Sequence, residues 1–326
     1  SQRCGGSLRS WLALRSTFGC NAARPYLDET QPRAHMVTQT RFLITVVAMT
    51  LVAARGASGQ GPVAATAGTV ETHTIWSQAL GVRKEIVAYL PPSYSASASR
   101  ERRYAVAIYL HGLWGSERDW TAYGALATTM DSLIAAGMPE MIVVMPDGDN
   151  GWWTTWNSLV DLPACRRATR RENADTFCVP WAKYDDYVVH DVIAFADSAF
   201  RTIATKASRA IAGLSMGGYG ALGIAARAPG SFAVAASHSG VLRPAFMIDS
   251  VGASPARPAF VRDARTRDEL RNASGPRWEQ IAPAFGADSV SWMARDPSRL
   301  LEALRARGGV LPALYVDVGT EDALLP

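Results

Sequence analysis

Hydrophobic residues along the chain follow two patterns, one typical of strands and one typical of helices. Short continuous apolar runs, as in strands buried on both faces, lie at 104–110, 141–145, 209–214, 233–237 and 313–318. Between these runs, apolar residues recur at helical spacing in 124–136, 186–200, 217–226 and 297–307. Alternating residues predict an antiparallel hairpin of two edge strands at 70–77 and 82–90. Together the patterns predict an α/β fold, a doubly wound and mostly parallel sheet with helices on both faces.

The segments before this pattern do not belong to the predicted fold. Residues 1–35 have no persistent period and begin with Ser, so we interpret them as a non-native or disordered leader. Residues 36–59 contain a basic start, a short apolar run and small residues at the end, which is typical of a secretory signal peptide. Residues 60–69 form a small-residue linker, and 70–326 form the folded domain. The protein is therefore expected to be secreted or periplasmic, without a stable membrane span after cleavage; an uncleaved anchor is the alternative.

Composition and charge exclude one class of partner. The chain has 326 residues, 48% hydrophobic and 19% charged, which suits one large domain. Seven of its Arg and two of its acidic residues precede residue 60, leaving 26 basic and 27 acidic side chains in the rest. With a nearly neutral folded part we expect no nucleic-acid partner. His, Cys and carboxylates do not cluster at ligand spacing, so neither a metal nor a cofactor is expected.

The cysteines divide between the leader and the folded domain. Cys4 and Cys20 lie in the leader, whereas Cys165 and Cys178 lie in a polar segment of the domain. In an exported protein, Cys165 and Cys178 are predicted to form a local disulfide that closes a surface loop. Two free thiols are the alternative.

A candidate nucleophile lies between a predicted strand and a predicted helix. Residues 213–217 read Gly-Leu-Ser-Met-Gly, a G-x-S-x-G pattern that exposes the central Ser215 on a tight turn. The next backbone N–H, that of Met216, then points to where an oxyanion forms. A second oxyanion donor is predicted at Leu113, because Leu-His-Gly-Leu at 110–113 follows a buried strand. In both places the alternative is a plain glycine-rich turn, and His111 is expected to be structural.

Three carboxylates follow the last predicted strand. Asp317 lies within the strand, Glu321 is expected to face solvent, and Asp322 lies in the loop after a glycine. From this loop Asp322 could orient a catalytic imidazole. Serine first and acid later is the chain order of α/β-hydrolases.

Five motifs in this order resemble one known family. They lie at 109–113, 145–148, 151–154, 213–218 and 319–322. From residue 70 onward the chain resembles the Putative esterase branch of the α/β-hydrolases, which includes esterase D, feruloyl and acetyl esterases, tributyrin-type esterases and mycolyltransferases. The resemblance implies the α/β-hydrolase fold, with Ser215 as nucleophile, Leu113 and Met216 as oxyanion donors and Asp322 as the acid of a triad.

The catalytic histidine departs from the family pattern. In the family it follows the acid by a few dozen residues, whereas the sequence ends at Pro326. We therefore expect the domain to be truncated at its C-terminus, and a chain without the base to be almost inactive. His238 ends the strand that follows the Ser215 turn and its helix. It is the alternative base, although it precedes the acid.

The expected function is that of a secreted serine carboxylic-ester hydrolase (EC 3.1.1 type) that forms an acyl-enzyme. Acyl or feruloyl esters of carbohydrates, or short-chain esters, are the expected substrates, with Trp114, Trp152 and Trp153 on the pocket wall. Residues 243–292 have weak periodicity and are expected to cover the site as a cap. An acyltransferase with the same nucleophile, or a non-catalytic binding protein on this scaffold, are the alternatives. The sequence does not predict an oligomeric state.

Overall fold

A seven-stranded sheet forms the centre of the computed structural model, which describes residues 67–169, 172–249 and 260–322. The strands of the described residues are β1 (Thr69–Ser77), β2 (Val82–Leu90), β3 (Ala105–Leu110), β4 (Met141–Pro146), β5 (Arg209–Leu214), β6 (Val234–His238), β7 (Phe246–Asp249), β8 (Phe260–Asp263) and β9 (Ala313–Asp317). The helices are α1 (Asp119–Ala122), α2 (Leu126–Ala135), α3 (Leu162–Arg167), α4 (Ala174–Phe177), α5 (Tyr184–Asp186), α6 (Ile193–Ala199), α7 (Met216–Arg227), α8 (Arg267–Ser274), α9 (Trp278–Phe285), α10 (Ser289–Met293) and α11 (Pro297–Ala306). The predicted leader and signal peptide lie outside the described residues.

The order of strands in the sheet creates a crevice at one point. The order is β1-β2-β4-β3-β5-β6-β9, with β1 and β2 antiparallel to their neighbours and the other five strands parallel. From β3 the chain crosses to β4 on one side and returns to β5 on the other. The loops after β3 and β5 therefore diverge at the carboxyl edge, where open α/β sheets bind their ligands. The predicted edge hairpin and mostly parallel sheet are confirmed.

Alternating side chains of the sheet pack into two separate layers. In β4, Ile142 and Val144 belong to the larger core with α7, whereas Val143 and Met145 pack with α2 on the opposite face. All four side chains are fully buried. Burial on both faces explains why β4 reads as a continuous apolar run. The predicted placement of helices on both faces is confirmed.

Two regions with weak periodicity contain short elements that the sequence analysis did not predict. The segment before Cys178 holds α3 and α4, and the region after β6 holds the small β7–β8 hairpin and helices α8 to α10. Each helix there has at most eight residues, which is too short for a helical period to stand out. The predicted helix at 186–200 starts with a π-helical stretch, Tyr187–Val192, before α6. Among the described residues, every helix is too short or too polar to traverse a bilayer.

Candidate active site

Ser215 occupies a strained turn between β5 and α7. Its φ of 54° and ψ of −114° lie in a region that non-glycine residues rarely adopt and that costs on the order of 1–3 kcal/mol. Two backbone hydrogen bonds hold it there: the Ser215 N–H donates to the carbonyl of His238 at 2.9 Å, and the Tyr219 N–H donates to the Ser215 carbonyl at 3.0 Å. The turn leaves the serine side chain partly exposed at the carboxyl edge of the sheet.

Two glycines of the G-x-S-x-G pattern are required by close backbone approach. A Cβ at Gly213 would overlap the backbone of Gly217, and a Cβ at Gly217 would overlap the carbonyl oxygens of Leu110 and His111. The first contact lets α7 start directly above the end of β5. The second brings the loop after β3 against the start of α7, so the Ser215 turn and that loop are packed as one unit.

The loop after β3 passes beside Ser215. A Cβ at Gly112 would lie 3.6 Å from the Cβ of Ser215. Within the described part of the chain, the N–H groups of Leu113 and Met216 have no hydrogen-bond acceptor. Two unpaired N–H groups on either side of an exposed serine are what an oxyanion hole needs.

His111 holds the peptide unit that carries the Leu113 N–H. The Gly148 N–H donates to Nε2 of His111 at 2.9 Å, so this nitrogen is the acceptor and the ring proton is on Nδ1. From Nδ1 the imidazole donates to the carbonyl of Gly112 at 2.8 Å. That carbonyl belongs to the same planar peptide as the Leu113 N–H, so fixing one fixes the direction of the other. The side chain of His111 is buried beneath the indole of Trp153, as expected of a structural residue.

Asp322 and His238 lie at the same edge of the sheet. Asp322 follows β9, and its N–H donates to the carbonyl of Gly319 at 3.1 Å in a tight turn. His238 and Asp317 are register partners at the ends of β6 and β9, and Nδ1 of His238 lies 2.9 and 3.0 Å from the two Asp317 carboxylate oxygens. Among the described residues no hydrogen bond joins the Ser215 hydroxyl to His238, whose Nδ1 faces Asp317. The sequence analysis missed the pairing of His238 with Asp317, although both residues end adjacent predicted strands.

The three candidate pocket tryptophans have different surroundings. Trp114 is 47% exposed, whereas Trp152 and Trp153 are 5% and 0% exposed. Trp152 packs edge-on against Tyr219 and Phe285 in the core, and the Trp153 Nε1–H donates to the carbonyl of His111 at 3.1 Å. Only Trp114 of the three therefore presents its indole to a cavity, while the other two support the loops from below.

A cavity of about 560 Å³ begins at Trp114, one residue after Leu113. Its wall is unusually rich in carboxylates, which come from Glu85, Glu117, Asp119, Asp147, Asp149 and Glu172. Buried Lys84 neutralises part of this charge, with Nζ at 2.6 Å from Asp147 and 2.5 Å from Asp149. Arg83 also lines the cavity, but with six carboxylates against two cations the wall remains predominantly anionic. Among the described residues that line it, Trp114 is the one nearest in sequence to Leu113, and Ser215 is not included.

The pKa values of the two aspartates that bind Lys84 are shifted in opposite directions. Burial raises the pKa of Asp149 to about 6, against the opposing charge of Lys84. Burial would also raise the pKa of Asp147, but the charge and the hydrogen bond of Lys84 outweigh it and hold that pKa well below the usual range. The hydroxyl of Tyr184 donates to Asp149 at 2.8 Å. Asp147 is therefore the permanently ionised member of the pair.

The fold and the strained serine define an α/β-hydrolase of the serine type. The sequence model of the family described as Putative esterase matches residues 77–326, and the chain belongs to this family. Membership supports a serine ester hydrolase as the class of protein.

Individual relatives match a smaller part. Esterase Rv1288 of Mycobacterium tuberculosis is 31% identical over 164 residues, which are 50% of this chain and 30% of that protein. The endo-1,4-beta-xylanase/feruloyl esterase of Xylanibacter ruminicola is 29% identical over 167 residues, 51% of this chain and 20% of that protein. The matched part thus spans less than a third of either relative. Among solved structures, FphF, a fluorophosphonate-binding serine hydrolase of Staphylococcus aureus, superposes with a TM-score of 0.57 at 19% identity, covering 79% of this chain and 82% of that one. At this identity the likeness shows the fold alone.

Proposed function

We propose that the protein is an exported serine carboxylic-ester hydrolase that forms an acyl-enzyme on Ser215. The observation that carries the proposal is the exposed Ser215 at a φ of 54°, flanked by the unpaired N–H groups of Leu113 and Met216. The hydroxyl attacks the ester carbonyl, its proton passes to an imidazole base, and the two N–H groups stabilise the oxyanion. Collapse of the tetrahedral intermediate expels the alcohol, and water then releases the acid. Asp322, by its position after β9, is the acid that orients the base.

The residues that line the cavity beside Trp114 support a substrate whose alcohol moiety is rich in hydroxyl groups. Carboxylates accept hydrogen bonds from hydroxyls, and an exposed indole offers an apolar face to a sugar ring. The anionic wall disfavours an alcohol that itself carries a carboxylate. Acyl or feruloyl esters of neutral carbohydrates are therefore the proposed natural substrates, with small short-chain esters as turnover probes. The feruloyl esterase activity in the name of the Xylanibacter ruminicola relative agrees with this substrate class.

Export is supported by the disulfide bond between Cys165 and Cys178. Such disulfides persist in oxidising compartments and are rare in the cytosol. The predicted signal peptide at 36–59 is the other support.

The test is hydrolysis of p-nitrophenyl acetate by the full-length protein and by Ser215→Ala. We expect the variant to lose at least about a thousand-fold in kcat. A second series compares acetylated or feruloylated neutral oligosaccharides with counterparts that carry a uronic acid, and we expect higher kcat/KM for the neutral series. Retained activity in Ser215→Ala would refute the assignment of the nucleophile, and a preference for uronic acids would refute the substrate class.

A further inference from the structure

Leu113, the candidate oxyanion donor, lies between two peptide units that are each held by a hydrogen bond from a side chain. His111 and the Gly115 N–H both donate to the Gly112 carbonyl, which fixes the peptide before Leu113. The peptide after Leu113 is fixed by a side chain from a different loop, because the Trp114 N–H donates to Oδ1 of Asn150 at 2.6 Å. With both neighbouring peptides held, the Leu113 N–H has one direction.

The amide of Asn150 can serve Trp114 in only one orientation, and Glu172 sets it. Asn150 is 8% exposed, and its Nδ2 donates a hydrogen bond to Oε1 of Glu172. A carboxylate accepts but does not donate, so Nδ2 must face Glu172 and Oδ1 must face the Trp114 N–H. A hydrogen bond to a carboxylate is also stronger than one between neutral groups.

Glu172 comes from the segment that the disulfide closes. It lies between Cys165 and Cys178, and the next residue, Asn173, caps α4 by accepting from the Asp175 N–H at 2.9 Å. The cap and the disulfide restrain the backbone that carries Glu172. A chain of contacts thus runs from the disulfide-closed segment through Asn150 to the oxyanion loop.

We infer that Asn150, oriented by Glu172, is a positioning residue for the oxyanion hole and sets kcat through the direction of the Leu113 N–H. The inference rests on the proposed function, in which Leu113 is an oxyanion donor. Asn150 does not touch the ester. Its hydrogen bond restrains Trp114, whose φ of 65° is left-handed, directly after the unpaired N–H of Leu113. Without the acceptor, the loop can rotate and the oxyanion loses one aligned donor.

The experiment uses the full-length protein with p-nitrophenyl acetate and four variants. In Asn150→Leu the acceptor for Trp114 is lost, and we expect kcat to fall roughly 10- to 100-fold with KM within about two-fold, as for a misaligned oxyanion donor. In Asn150→Asp the acceptor remains, but a second carboxylate faces Glu172, so we expect a similar loss near neutral pH. The double variant Asn150→Asp/Glu172→Gln restores a donor opposite the carboxylate and should recover kcat to within about three-fold of the parent. Asn157→Asp makes the same chemical change at an exposed residue further along the same loop, without a hydrogen bond to Trp114 or Glu172, and is the matched control.

Hydrogen exchange provides a readout that does not need turnover. The Trp114 amide should exchange faster in Asn150→Leu than in the parent, and at the parent rate in the double variant. If kcat is unchanged in Asn150→Leu, or if the double variant does not recover it, the inference is overturned. Ser215→Ala is run in parallel: a Ser215-dependent parent with an unaffected Asn150→Leu refutes the positioning role alone, whereas activity that survives Ser215→Ala refutes the proposed function.

Discussion

The imidazole of His111 donates from Nδ1 to the carbonyl of Gly112 at 2.8 Å, the hydrogen bond that fixes the candidate oxyanion peptide from its carbonyl side. In His111→Leu this bond is lost and the Gly148 N–H loses its acceptor. We expect kcat for p-nitrophenyl acetate to fall roughly 10- to 100-fold, while KM changes little. Steady-state kinetics of a folded variant, checked by near-UV circular dichroism, measures this. An unchanged kcat would show that the Gly112 peptide is held well enough by the Gly115 N–H alone.

Substitution of Asp317 tests whether the imidazole of His238 is the general base. Because no hydrogen bond joins the His238 imidazole to the Ser215 hydroxyl, we expect the main role of His238 to be that of backbone acceptor for the Ser215 N–H. In Asp317→Asn the backbone contact remains, and kcat should fall by less than about ten-fold. Loss of a triad acid costs about 10⁴-fold, so a fall of a thousand-fold or more would instead identify His238 as the general base.

Asp149 gives stability a specific pH dependence. Its pKa of about 6 in the folded state lies above the ordinary value of an unfolded aspartate, so between pH 4 and pH 6 the folded state binds more protons than the unfolded state. Its contribution to the free energy of unfolding must therefore decrease as pH rises through this window, by up to about 3 kcal/mol. Urea titrations from pH 4 to pH 7 on the parent and Asp149→Asn measure it.

The difference between parent and Asp149→Asn should change across that window and be flat above it. Asp147, whose pKa is lowered, contributes in the opposite sense at lower pH, and it is present in both proteins. A difference that is constant from pH 4 to pH 7 would contradict the raised pKa of Asp149.

Loss of the disulfide should lower both the free energy of unfolding and kcat. The two cysteines are 13 residues apart, and closing a loop of this size is worth about 3 kcal/mol. Replacing both by serine should lower the free energy of unfolding by that order. Because Glu172 lies in the same loop, kcat should also fall at a temperature where the variant is fully folded. Urea unfolding and steady-state kinetics measure the two effects, and a loss of stability without any loss of kcat would separate the loop from the oxyanion hole.

The turn that carries Ser215 could be predicted from the sequence, whereas the contacts between residues far apart in the chain could not. Ser215 lies between a strand and a helix that are contiguous with it, so a short pattern is sufficient to predict the turn. Lys84 and Asp149 are 65 residues apart, and His238 and Asp317 are 79 apart. Single-sequence patterns do not show which strands become neighbours, so these pairs appear only once the strand order is known.

The tryptophans illustrate a second limit. Trp152 and Trp153 lie in a polar loop next to the site, which favoured placing them on the pocket wall. In the structure both indole rings are buried instead. Loop residues have no hydrophobic period, so the sequence does not indicate which way a loop side chain points.

The buried pair of tryptophans also limits how the specificity of this protein can be redesigned. A library that varies the loop at Trp152 and Trp153 would change the packing beneath the sheet edge, and most of its members would fail through stability before selectivity could be measured. Trp114 lines the cavity together with Glu172, Asn173 and Thr176 of the disulfide-closed segment, and none of these four residues is part of the buried core. Directed evolution toward new alcohols should therefore concentrate on Trp114 and on the exposed residues of that segment, leaving the adjacent tryptophan pair as part of the fixed framework.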